Sequence, residues 1–261
     1  MLSRLLNAIG RRMARFVTRP LRHYERFDCA DPQRLRATLQ LSDVLLVEGN
    51  SRVSGVIKYL TRSTWSHACL YVGIDVRPEI PGPTLLEADM VDGVMLVPLQ
   101  KYEGFNTRIC RPIGLDIAER QRIVRYALDR LGYQYDLRNI FDLARYLLPA
   151  PPVPQAYARR LIAFGSGDPT QAICSSIIAQ SFQSIHYPIL PRRLEDPDAL
   201  VNDDALLVAR HFSHFTPRDF DLSPYFTVVK PTLEHGFDFH ALHWQAKPNA
   251  VQDAERSTAA E

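Results

Sequence analysis

The stretch Thr61–Gly73, TRSTWSHACLYVG, passes from a polar turn into an apolar run. Strand alternation from His67 puts His67, Cys69 and Tyr71 on one side and Ala68, Leu70 and Val72 on the other. A titratable ring thus stands at the first position of a strand, where a β-branched residue would pack better. Around it lie further strand-like runs: DVLLVEG (43–49) before it, and TLLEAD (84–89), GVMLVPL (93–99) and TRICRP (107–112) after it. The loop RPEIPGP (77–83) turns the chain, and MVDG (90–93) has the character of a hairpin turn. Short strands joined by tight turns predict an antiparallel, curved sheet.

Helical signals surround and follow this block. SGVIKYLTRS (54–63) reads as a short helix with Ser54 as its cap. Apolar spacing predicts a helix over 116–131, stopped by Gly132. NIFDLARYLL (139–148) reads as a helix broken by PAPPVP (149–154), and QAYARRLIAF (155–164) as another. ICSSIIAQSFQSI (173–185) predicts a helix that opens at Cys174, after the loop FGSGDPTQA. Thr216, Pro217 and Asp219 form an N-cap, N1 and N3 set, the signature of a capping box. YFTVVK (225–230) closes as a strand, and the chain from about 245 is polar and expected to be disordered. Strands first and helices after them predict an α+β domain.

Composition narrows the classes. The chain has 261 residues, 46% of them hydrophobic and 23% charged, so it is able to bury a substantial core. No run of 18 or more apolar residues occurs, and no transmembrane helix is expected. Four cysteines, at 29, 69, 110 and 174, lack metal-ligand or disulfide spacing and suit a reducing, cytoplasmic compartment. No G-x-G-x-x-G, Walker A loop or G-x-S-x-G occurs, which argues against nucleotide binding and a serine nucleophile elbow. Basic patches interleaved with aromatics are missing from the central region, so no nucleic acid is expected as a partner.

The N-terminus differs from the rest. Residues 1–26 carry seven arginines against one acid, Glu25. Leu2, Leu5, Leu6, Ile9, Met13, Phe16 and Val17 fall on one helical stripe, with arginines opposite. Residues 1–28 therefore form a basic amphipathic segment. It suits contact of residues 1–20 with the inner face of a membrane, an organelle transit peptide, or a helix docked on its own domain. The main folded domain is expected over 29–230 and a partly disordered tail over 231–261.

Three residues suggest chemistry. Cys174 at a helix start sits where backbone N–H groups and the helix dipole favour a thiolate. His67 is a candidate base. Glu87 lies between Leu86 and Ala88, a setting where a carboxylate needs a partner. Adjacent strands in suitable register bring it to His67. Taken singly, each has a plainer explanation: a small buried thiol, a core histidine, a strand-edge charge. The combination follows the logic of a catalytic triad. Cys29, Cys69 and Cys110 read as structural, with Cys69 on the His67 face. His211/His214 and His240/His243 have H-x-x-H spacing but no third ligand beside them, so neither a metal nor a cofactor is expected.

The ordered set DVLLVEG, STWSHACLYVG, LLEAD, GVMLVPL, LGYQYD, ICSSIIAQSF and TPRDFDLSPYFTVV resembles the YiiX-like, circularly permuted branch of the NlpC-type papain-fold hydrolases. The resemblance spans roughly residues 42–229. It implies a papain-like fold, with Cys174 as nucleophile, His67 as base, Glu87 as the acidic third member, and Tyr135 as an orienting residue or oxyanion donor. It implies amide, peptide or lipid-acyl substrates. A non-catalytic lipid- or peptide-binding module and an acyltransferase using the same site are the rival expectations. The span 136–172 has no counterpart in the pattern. Its Phe141, Leu147, Leu148 and Phe164 suit an apolar lid beside Cys174, or else the common core.

Overall fold

The computed structural model describes residues 31–89, 92–134, 174–193, 207–238 and 240, together with Arg19. The expectations for the segment 1–28 (Arg19 apart), for Cys29, for Tyr135, for the span 136–172 and for residues 241–261 lie outside the described residues.

In chain order the elements are α1 (Pro32–Thr38), β1 (Val44–Val47), α2 (Arg52–Thr61), β2 (His67–Ile74), β3 (Pro83–Asp89) and β4 (Gly93–Pro98). A 3-10 turn (Leu99–Tyr102), β5 (Thr107–Pro112) and α3 (Ile117–Leu128) follow. Then come α4 (Cys174–Gln183), β6 (Arg192–Arg193), β7 (Leu207–Val208), a 3-10 turn (Phe212–His214), α5 (Pro217–Leu222), β8 (Phe226–Val229) and α6 (Pro231–Glu234). The protein is α+β, with an open six-stranded sheet in the order β4-β3-β2-β1-β5-β8. Every neighbouring pair in it is antiparallel.

Both faces of the sheet are covered. On one, Val44, Leu46, Ala68, Leu70 and Leu86 pack against Ile123 and Ala127 of α3, Ile177, Ile178 and Phe182 of α4, and Phe220 of α5. On the other, Leu45, Val47, Cys69, Tyr71, Leu85 and Ile109 meet Leu35 of α1 and Leu99 and Tyr102 of the first 3-10 turn. Burial on two faces explains why β1 is apolar at every position, V-L-L-V, and does not alternate.

Local signals set several ends. Asp116 caps α3 through a reciprocal box with Glu119, the side chain of each accepting from the backbone N–H of the other at 2.7 and 3.0 Å. That helix ends at Leu128, and the chain turns further to Gly132, whose φ of 82° is the left-handed conformation glycine tolerates. The Thr216–Asp219 box is present at α5. At α2 the cap is Ser51, not Ser54: Ser51 Oγ accepts from Ser54 N–H at 3.1 Å, which makes Ser54 the third helical residue. After β8 the chain stays tied to the domain, since His235 Nε2 lies 3.1 Å from Thr38 Oγ1.

Candidate active site

The two residues before His67 are pinned. Trp65 is buried, and its indole N–H donates to Asp221 Oδ2 at 3.1 Å. Arg108 binds the other oxygen of that carboxylate at 2.7 Å and stacks on the Trp65 ring. Ser66 donates its backbone N–H to Val47 O and accepts from Gly49 N–H at its hydroxyl, at 2.9 Å. A Cβ on Gly49 would stand 2.3 Å from Ser54 Oγ and 2.8 Å from Ser66 Oγ, so only glycine fits that approach. The chain therefore enters β2 in a fixed direction, with His67 as its first residue and 22% of its side chain exposed.

Register brings Glu87 in. Leu70 lies opposite Leu86 and Tyr71 opposite Leu85. One step further along sets Glu87 beside Cys69, with His67 its diagonal neighbour on the same face. His67 Nε2 is 3.2 Å from Glu87 Oε2, and the Cys69 thiol lies 3.8 Å from the same oxygen. Glu87 is only 1% exposed. Two more donors reach it: Lys101 Nζ donates to Oε1 and the Tyr102 hydroxyl to Oε2. Both come from the 3-10 turn after β4, and Tyr102 also sets its ring 5.9 Å from that of His67. Sequence reasoning missed this pair. The signal was the short spacing from a strand paired with β3, but nothing in K-Y itself points to a carboxylate.

Cys174 joins from the helix side. It is the first residue of α4 and is buried. The Ser175 hydroxyl donates to Phe215 O at 2.7 Å and holds that end of the helix. The Cys69 and Cys174 sulfurs both lie close enough to the His67 ring to act on its charge. The structure brings the sequence-predicted His67 and Glu87 together with Cys69, and Cys174 acts on the His67 ring from α4.

The electrostatics follow from these contacts. Burial opposes the charge on Glu87. The hydrogen bond and charge of His67, and then those of Lys101, overcome it and hold the carboxyl at about 2. Burial also works against a charged His67. The neighbouring Cys69 and Cys174 sulfurs outweigh it and raise the ring's proton affinity well above the ordinary histidine value. Burial pushes the Cys69 thiol up, with Glu87 adding to the effect and His67 opposing it. The Tyr102 phenol is held neutral well above its usual range, first by burial and then by the charges around it. An ionised carboxylate only accepts hydrogen bonds, so Nε2 of His67 carries the proton that faces Glu87.

His67, Cys69 and Glu87 place one potential ligand atom each within 4.8 Å of one another. The carboxylate, however, is already taken by an ammonium, a phenol and an imidazole N–H, and the Lys101 charge repels a cation. The cluster reads as a hydrogen-bonded network. Of the two histidine pairs, His211 stacks on Phe212 and is bonded to Ser213, and His243 is outside the described residues.

No family model matches the chain, and no curated protein does. Among solved structures it is similar to the crystal structure of metalloprotein yiiX from Escherichia coli O157:H7, at 18% identity and a TM-score of 0.45. The match covers 73% of this chain and 96% of that one. The chemistry of the site rests on the residues above.

One consequence concerns acid stability. Glu87 has its folded pKa lowered from 4.5 to about 2. Its stabilisation is then fully present above the unfolded value and is lost as pH falls through the folded one. The shift corresponds to roughly 3 kcal/mol. Glu87→Gln should flatten the decline of stability between about pH 5 and pH 2, read from urea melts at a series of pH values. An unchanged slope would show that the carboxylate is not held in this way.

Proposed function

We propose that the protein is a cysteine hydrolase of papain-like, permuted NlpC type, working through Cys174, His67 and Glu87 and a covalent acyl-enzyme. The observation that carries the reading is His67 Nε2 at 3.2 Å from a buried, ionised Glu87, with α4, which begins at Cys174, packed against the same strand, β2. With Nε2 committed, Nδ1 is the nitrogen available as base. In the proposed cycle Nδ1 takes the Cys174 proton and the sulfur attacks an acyl carbon. The imidazolium, supported by Glu87, returns the proton to the leaving amine or alcohol. Water then adds to the thioester with the ring again as base, releasing the acid and the free thiol. Backbone N–H groups at the start of α4 suit an oxyanion. Tyr135, an expected contributor from the family resemblance, belongs to this proposal.

The site supports acyl chemistry without naming the acyl group. Transfer to a lipid or amine in place of water would make the same site an acyltransferase. The other rival is a cleft that only binds.

Thiol reactivity separates catalysis from binding. With iodoacetamide near neutral pH, Cys174 is expected to alkylate at least about tenfold faster than Cys69 or Cys110, whose burial keeps them protonated. Peptide mapping by mass spectrometry reads the ratio. Equal rates at the three thiols would favour the binding cleft.

A further inference from the structure

Glu87 is a buried carboxylate with three strong donors, and only one of them belongs to the proposed triad. A third triad member serves by staying ionised and keeping its aim on the imidazole. A lone carboxylate at 1% exposure does neither well, because desolvation favours its neutral form and rotation about its last torsion is broad. The contacts of Lys101 and Tyr102 answer both problems. Lys101 sits on Oε1, and Tyr102 shares Oε2 with His67. The carboxylate plane is thereby fixed from two sides. The Tyr102 ring is itself wedged between His67 and Phe105, each 5.9 Å away.

We infer that Lys101 and Tyr102 are positioning residues that hold Glu87 ionised and aimed at His67. The inference rests on the cysteine-hydrolase reading for its catalytic meaning, but its physical content concerns Glu87 alone. The groups facing Glu87 are His67 and Cys69 from β2 and Lys101 and Tyr102 from the 3-10 turn; Cys174 of α4 faces His67. Lys101 is 42% exposed, so its charge is partly screened, whereas Tyr102 is buried and its hydrogen bond is not. Tyr102 therefore carries the larger share of the aim and Lys101 the larger share of the charge.

The test uses Tyr102→Phe, Lys101→Met, their double variant and Lys101→Arg in the full chain. The Glu87 carboxyl is titrated by carbon NMR, its signal assigned by its loss in Glu87→Gln. Cys174 alkylation is followed against pH in parallel. In the double variant the Glu87 midpoint is expected to rise by about one unit or more. Once Glu87 is protonated it no longer accepts from the imidazolium, so alkylation is lost on the acid side first. The acid limb of the alkylation profile should move up in pH together with the Glu87 midpoint, and the rate at about pH 8 should stay unchanged. Tyr102→Phe keeps the ring packing, and Lys101→Arg should restore the wild-type profile, which a merely structural role would not require. An unmoved Glu87 midpoint in the double variant overturns the inference. The wild-type thiol ratio tests the hydrolase reading separately, since the Glu87 titration decides the positioning role whichever way that ratio falls.

Discussion

Cys174→Ala is expected to lower turnover by at least about a thousandfold, because the other thiol at the site, Cys69, is fully buried and held protonated. The substrate for this measurement is any acyl compound that leaves a thioester mass on the wild-type chain; the same mass must vanish in the variant. Stability should change by only about 1 kcal/mol, since one small buried side chain replaces another. His67→Ala should slow both alkylation and turnover, and Glu87→Gln should do so less, because it keeps the shape and removes only the charge. Full activity in Cys174→Ala would discard the nucleophile and with it the proposed cycle.

The largest effect on folding is expected at Arg111. Asp43 is fully buried at the start of β1 and is engaged by the Arg111 guanidinium at 2.8, 3.0 and 3.2 Å. The same guanidinium donates to Thr38 O at 2.6 Å, so it also ties the end of α1 to the sheet. Burial pushes the Asp43 carboxyl up, and Arg111 opposes that most strongly among its neighbours. Arg111→Met leaves a buried carboxylate without its counter-charge and should cost about 3–5 kcal/mol in urea unfolding. Adding Asp43→Asn removes the orphaned charge and should recover a large part of that loss. If the double variant is as unstable as the single one, the pair is not the source of the effect.

Much of the layout was legible in the sequence. Alternation put His67 and Cys69 on one strand face, the capping signature of Thr216 and Asp219 marked a helix start, and Cys174 was read as the first residue of its helix. Such features depend on residues within about four positions of one another, where backbone geometry alone relates them. The helix cap at Ser51 was misread as Ser54 for the same local reason. Two serines three apart compete for the role, and only one finds an N–H to accept.

The sequence by itself determined strands before helices, an imidazole at a strand start and a thiol at a helix start. The tertiary structure decided what those groups meet. The β2–β3 register set Glu87 under His67, and a turn beyond β4 brought Lys101 and Tyr102 onto the carboxylate. Packing of α4 on the sheet brought Cys174 to a ring far away in the chain. Arg111 found Asp43 because β5 pairs with β1, the strand that Asp43 begins. Each of these depends on which strands become neighbours and in what register. That choice is settled by burying two apolar faces at once, and no local stretch of chain contains it.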